Sequence, residues 1–88
     1  LSPPFVRVVC PRFQQWTGHV TIGGSMCTET LTKSGWVREM TPVGLMLHLK
    51  QNLIDGNGRV DMFTTYDYTE KEADEAYKRV ANDHGWKI

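Results

Sequence analysis

One cysteine stands in a setting that suits nucleophilic chemistry. Cys27 follows the glycine-rich segment Gly23-Gly24-Ser25-Met26. A thiol placed directly after such a turn can have an exposed sulfur, and its thiolate is a strong nucleophile. The alternative for a lone cysteine is a small buried hydrophobe. The pattern makes Cys27 a candidate nucleophile.

Two histidines are possible partners for this thiol. His19 lies eight residues before Cys27, and His84 lies near the end of the chain. An imidazole can accept a proton or donate a hydrogen bond to a developing oxyanion. A cysteine hydrolase that pairs Cys27 with His19 or His84 is therefore one hypothesis, although the chain supplies no clear third member.

Composition limits the remaining classes. With 88 residues the chain is one domain at most, and a domain this short buries only about 60 to 65% of its unfolded surface. Ten basic and ten acidic residues give zero net charge, which argues against nucleic-acid binding. No run of about 18 apolar residues and no charged-then-apolar leader is present, so we expect neither a membrane span nor a signal peptide.

The two cysteines, Cys10 and Cys27, are too few for a disulfide scaffold and favour a reducing compartment, so we expect the cytoplasm, the nucleus or both. The chain has no Cys-x-x-Cys pair and its three histidines are far apart, so we expect no metal and no cofactor. Because it begins with Leu1, we expect it to be a piece of a longer protein.

The elements that must position these residues form the order strand, loop, helix, loop, helix. Residues 5–9 form a β-branched run after two prolines and predict a strand. Residues 12–26 predict a shaped loop, with a short extended piece at 19–22. Thr41 and Pro42 predict the start of a central helix that runs to about Ile54.

The last segment predicts a second helix. It opens with a capping box at Thr69 and Glu72 and closes near His84, with Gly85 as terminator. The pattern gives it a buried stripe of Ala73, Ala76, Tyr77 and Val80, and a solvated face of Glu70, Lys71, Asp74, Glu75, Lys78 and Arg79.

One strand and two helices do not complete a core, since an isolated pair of strands is marginal in water. We therefore expect half of an α+β domain, with little sheet to cover the helix stripes centred on Leu45-Leu49-Leu53 and on Ala73-Tyr77-Val80.

The whole order resembles the C-terminal two thirds of a ubiquitin-conjugating enzyme, and its divergent Q-type branch most closely. The resemblance covers Pro3 to about Asp61 well and the last helix more weakly. It rests on the active-site segment Gly23-Gly24-Ser25-Met26-Cys27-Thr28-Glu29-Thr30-Leu31-Thr32-Lys33-Ser34-Gly35-Trp36. It implies a single partial domain over residues 1–88: an antiparallel edge strand, an active-site loop, the central helix and the C-terminal helix, without the family's first helix and first strands.

The resemblance implies that Cys27 accepts the carboxyl terminus of ubiquitin, or of a related modifier, from an activating enzyme. The carboxyl would then pass to a substrate lysine or a ligase. His19 stands where the family commonly carries an asparagine, and it would either stabilise the oxyanion or support the loop. Trp36-Val37-Arg38-Glu39 replaces a flat ligase-contacting loop with a charged one.

Two acidic residues after the central helix have competing interpretations. Asp55 or Asp61 could orient an incoming lysine, but the turn chemistry of Asp-Gly and Asn-Gly explains them without any role in catalysis and is favoured. A catalytically inactive relative that binds ubiquitin or another protein is the alternative to the conjugating enzyme.

Overall fold

The computed structural model describes residues 2–88, and two α-helices dominate it. Helix α1 spans Pro42–Asp55, and the Thr41 side chain caps it by accepting a hydrogen bond from the Gly44 amide. Helix α2 spans Glu70–His84, and a short 3₁₀ turn covers Glu29–Leu31. Both helices confirm the elements predicted from their capping residues.

The second helix also confirms its predicted ends. Thr69 and Glu72 form the capping box, with each side chain bonded to the other's backbone. Gly85 has a φ of 73° and ends the helix in the left-handed conformation, as glycine does at many helix C-termini. Neither helix in residues 2–88 combines the length and the apolar character that a membrane crossing needs.

The predicted strand at residues 5–9 is extended but does not form a regular strand. Within residues 2–88 the only β pairing is three isolated antiparallel bridges: Arg7 with Ser25, Val20 with Met26, and Phe13 with Val60. Pairing stays this short because residues 5–9 meet a partner only three residues long: Val8 donates to Gly24 (2.8 Å) and Met26 donates to Val6 (3.2 Å). The expected sheet is thus reduced to single bridges.

The predicted shaped loop is a tight hairpin over residues 19–27, which we call the cysteine hairpin. Thr21 donates its amide to the Ser25 carbonyl at 2.8 Å, and Cys27 donates its amide to the His19 carbonyl at 2.6 Å. The buried hydroxyls of Thr21 and Ser25 also bond to each other at 2.8 Å. These bonds fix Cys27 opposite His19 at the open end of the hairpin.

A small core holds the hairpin between the two helices. Its buried members come from four parts of the chain, and further apolar side chains pack around them. The buried set is Val20, Met26, Leu31, Leu49 and Tyr68, and the surrounding set is Val6, Val8, Phe13, Trp36, Leu45 and Leu53. Ala73, Ala76 and Ala81 of α2 are buried as well, which lets α2 approach the hairpin closely.

The expectation of uncovered stripes on both helices is wrong. Leu49 is buried in the core, Leu45 and Leu53 pack against it, and the alanine stripe of α2 is covered by the hairpin. The exposed apolar side chains of α1 are others: Val43, Met46, Leu47 and Ile54. The chain covers the stripes with loop segments instead of strands, which sequence periodicity does not reveal.

Candidate active site

Cys27 is half-buried at the open end of the cysteine hairpin. Burial raises the pKa of its thiol above the ordinary value of 9.0, because removing water disfavours the thiolate more than the neutral thiol. At neutral pH the resting group is therefore a thiol. A reaction at this sulfur needs the proton to leave as the new bond forms.

The glycines before Cys27 have a packing role. A Cβ on Gly23 would lie 2.1 Å from the Glu72 carbonyl oxygen, and one on Gly24 would lie 2.5 Å from the Tyr68 ring. Both glycines are buried. The glycines therefore do not form an exposed turn that presents the sulfur, as the sequence suggested. They let the hairpin pack against α2 and Tyr68, and Cys27, which follows them, is the residue that reaches the surface.

His19 is exposed and lies beside Cys27 in the hairpin, with a left-handed backbone (φ 57°). Its carbonyl accepts the Cys27 amide, whereas its imidazole makes no hydrogen bond within residues 2–88. The neighbouring loop is fixed by other groups. Gly18 donates to the Gly56 carbonyl (2.9 Å), and the Thr17 hydroxyl accepts from the Arg59 amide (3.1 Å).

A cavity of about 340 Å³ brings the candidate residues together. Cys27 and His19 line one wall with the apolar side chains of the hairpin, and the last turns of α2 line the facing wall. The full lining is Trp16, His19, Val20, Thr21, Ile22, Cys27, Gly56, Arg79, Val80, Asp83 and His84. Arg79, predicted on the solvated face of α2, is exposed as expected and also borders this cavity.

The two acidic residues considered as lysine-orienting groups stand outside the cavity lining. Asp55 ends α1 and accepts a hydrogen bond from Gln51 at 2.8 Å. Asp61 accepts from the amides of Phe63 and Thr64. Hydrogen bonds from Thr64 and then Phe63 lower the pKa of Asp61, which suits a turn-stabilising carboxylate. The turn interpretation is supported for Asp61, whereas the Asp55 carboxylate bonds back to its own helix.

Arg12 is an organising residue that sequence reasoning missed. Its guanidinium lies 4.5 Å from the ring centroids of both Tyr66 and Tyr68. It donates to the carbonyls of Tyr66 (3.0 Å) and Asp67 (3.2 Å) and to the Glu72 carboxylate (2.8 Å). This clamp ties the N-terminal segment to the start of α2. No short sequence motif signals a contact between residues sixty positions apart.

The cavity does not carry the pairing of a cysteine hydrolase. Within residues 2–88, no hydrogen bond joins the Cys27 sulfur to His19 or to His84. A nearby imidazolium lowers the pKa of a hydrolase thiol, whereas that of Cys27 is raised by burial. In the same range, no three His, Cys, Asp or Glu side chains are placed to hold a metal ion.

Comparison with known proteins gives a consistent set of relatives. No protein-family model matches the chain. It is 34% identical over 91 residues to ubiquitin-conjugating enzyme E2 Q-like protein 1 of Homo sapiens, covering 97% of the chain and 55% of that protein. It is 36% identical over 90 residues to ubiquitin-conjugating enzyme E2 25 of Caenorhabditis elegans, covering 97% and 23%.

A third relative agrees. Ubiquitin-conjugating enzyme E2 Q1 of Homo sapiens is 34% identical over 89 residues, with 97% of the chain and 21% of that protein covered. The chain thus spans about half the length of the first relatives and about a fifth of the longer ones. Because each alignment covers 97% of the chain, the similarity includes both helices and the residues that line the cavity.

Proposed function

Because the chain belongs to the Q-type branch of the ubiquitin-conjugating enzyme family, we propose that it carries ubiquitin, or a ubiquitin-like modifier, as a thioester on Cys27. In this proposal it receives the modifier from an activating enzyme and passes it to a substrate lysine, with or without a ligase. The observation that carries the proposal is the position of Cys27: half-buried, at the edge of a cavity, beside an unbonded imidazole.

The first step is exchange between two sulfurs. The Cys27 sulfur attacks the carbonyl of the modifier's thioester on the activating enzyme, a new C–S bond forms and the old one breaks. The proton of Cys27 passes to the departing sulfur. Burial that disfavours a charge on Cys27 favours both of its neutral forms, the free thiol and the thioester.

The same burial affects the second step. When an amine attacks the thioester, Cys27 must leave, and a thiol of higher pKa leaves more slowly. The loaded thioester therefore reacts slowly with amines that are not positioned in the site. Transfer then depends on groups that stabilise the intermediate.

His19 is the proposed stabilising group. Its imidazole has no hydrogen-bonding partner within residues 2–88 and borders the cavity, so it is free to donate to the oxyanion. The competing role, support of the loop by the His19 side chain, is less favoured, because backbone and hydroxyl bonds already fix this loop. Thr17 bonds Arg59, and Gly18 bonds Gly56. We favour the oxyanion role.

A charging assay tests the proposal at Cys27. The full-length protein is incubated with activating enzyme, ATP and ubiquitin, and read on gels with and without reductant. Wild type should form a reductant-sensitive adduct, Cys27→Ser an ester that resists reductant, and Cys27→Ala none, while Cys10→Ser should charge normally. Charging of the alanine variant, or its transfer to Cys10, would contradict the assignment. Absence of any wild-type adduct would favour the non-catalytic binding module.

A second experiment separates the two roles of His19. If it stabilises the oxyanion, His19→Ala should slow transfer to lysine by about 10²- to 10³-fold, the cost of one lost donor, with charging less affected. His19→Asn should recover part of the rate. A melting temperature that falls together with activity in both variants would instead support the loop role.

Both cysteines are free in the structure. A reactive thiol of this kind needs a reducing compartment, so the proposed location is the cytoplasm, the nucleus or both.

A further inference from the structure

The C-terminal end of α2 forms one wall of the Cys27 cavity. Arg79, Val80, Asp83 and His84 line the wall that faces the cysteine hairpin. Asp83 lies one helical turn after Arg79, so both project to the same side of α2. The nucleophile therefore faces a wall that carries one anion and one cation.

Among the described residues, the two charged side chains on this wall form no ion pair. Among the described residues 2–88, the ion pairs are Arg12 with Glu72 and Asp74 with Lys78, so neither Asp83 nor Arg79 has an opposite charge within 4.0 Å. Asp74 lies nine residues before Asp83, which places it on the far side of the helix. Asp83 is thus free to bind a cation that enters the cavity.

Two further features favour a cation at the Asp83 end. The carboxyl end of a helix carries partial negative charge, and α2 ends at His84, one residue beyond Asp83. Arg79 stands one turn back and repels a second cation from its own end. Only the Asp83 end therefore suits an ammonium group.

Four apolar side chains also line the cavity. Val20 and Ile22 of the hairpin, Trp16, and Val80 of α2 border the same space. A lysine has a four-carbon apolar stem that packs along such surfaces and a compact ammonium at its tip. The His84 ring is stacked on Trp86 at 4.3 Å, which holds this end of the wall in place.

We propose that the last turn of α2 is the subsite for the acceptor lysine, with Asp83 as the residue that binds its ammonium group. This inference rests on the proposed function and adds the residue that recognises the acceptor. It replaces Asp55 and Asp61, which stand outside the cavity lining.

In the transfer, the lysine nitrogen loses two protons and the Cys27 sulfur regains one. The bound ammonium loses one proton to solvent, and the neutral amine adds to the thioester carbonyl, forming a C–N bond. The C–S bond to Cys27 then breaks, its electron pair leaves with sulfur, and the sulfur takes the remaining proton lost by nitrogen. Asp83 concentrates the ammonium form and stabilises the positive charge that returns to nitrogen during addition.

The test compares two nucleophiles on the loaded full-length protein. Free lysine carries an ammonium, whereas hydroxylamine is uncharged at neutral pH. Asp83→Asn should discharge to lysine about 2- to 5-fold more slowly, the value of one exposed ion pair, and Asp83→Lys about 4- to 25-fold more slowly. Discharge to hydroxylamine should stay unchanged, and Asp83→Glu should retain the lysine rate. Salt at about 0.5 M, where the Debye length is about 4 Å, should reduce the difference in lysine discharge rate between wild type and the Asp83 variants.

Asp74→Asn is the matched control, because it removes an equal charge from the opposite side of α2 and should leave both rates unchanged. Equal slowing of lysine and hydroxylamine by Asp83→Asn would overturn the subsite, as would an unchanged lysine rate in Asp83→Lys. Charging of every variant is measured first. Loss of charging in wild type contradicts the proposed function, whereas normal charging with no lysine-specific effect contradicts the subsite alone.

Discussion

Adding one methyl group to Gly23 should push the cysteine hairpin off α2. The new Cβ would lie 2.1 Å from the Glu72 carbonyl oxygen and 2.8 Å from the Ala76 Cβ. Helix backbone cannot move aside as a flexible side chain can, so the whole hairpin must shift. Overpacking costs about 1 to 3 kcal/mol, and contact with backbone places Gly23→Ala at the upper end, about 3 kcal/mol.

Two other glycines give matched comparisons. Gly85 has a φ of 73° with no atom near its Cβ position, so Gly85→Ala costs only left-handed strain, about 1 to 2 kcal/mol. An alanine at Gly24 would meet both left-handed strain and a steric clash, because Gly24 has a φ of 96° and its Cβ position lies 2.5 Å from the Tyr68 ring. Gly24→Ala should therefore cost about 2 to 5 kcal/mol, the sum of strain and overpacking.

The assay is labelling of Cys27 by a thiol reagent across a urea gradient, in a Cys10→Ser background. With an m-value of about 1 kcal/mol/M, Gly23→Ala should lower the urea midpoint by about 3 M and Gly85→Ala by about 1 to 2 M. If Gly23→Ala unfolds at the same urea concentration as wild type, the close contact between hairpin and α2 does not exist. If Gly85→Ala proves the costlier of the two, the clash argument is wrong.

Three further predictions concern groups around the site. Arg12→Lys should destabilise the protein by about 1 to 3 kcal/mol in urea unfolding, because lysine lacks the planar fork that bonds two carbonyls and a carboxylate; unchanged stability would refute the clamp. Burial raises the pKa of Glu72, but hydrogen bonds from Thr69 and Arg12 outweigh this effect and leave the pKa below 4.5. The ionised Glu72 therefore stabilises the folded protein above pH 4.5, and this stabilisation is lost as the pH falls through the lower pKa of the folded state. Glu72→Gln should remove that pH dependence from acid unfolding. The rate of Cys27 alkylation should rise with a midpoint above pH 9.0, and a midpoint below it would contradict the burial argument.

The two helices illustrate what local sequence can predict. Thr41 with Pro42, and Thr69 with Glu72 and Gly85, act within one turn of the chain, so their capping geometry follows from residue type and spacing. The strand at residues 5–9 shows the opposite case. Its extent depends on a partner segment that lies in another part of the chain and that proves only three residues long.

The candidate site divides in the same way. The amino-acid sequence by itself determined the candidate nucleophile, Cys27, and its neighbour His19, because the two lie eight residues apart and belong to one short hairpin. Only the tertiary structure decided that Asp83 and His84 line the same cavity as that cysteine and that Arg12 clamps the start of α2. Helical periodicity gives the direction of a side chain around its own axis, but the element it meets depends on how the chain packs, and that packing joins residues more than fifty positions apart.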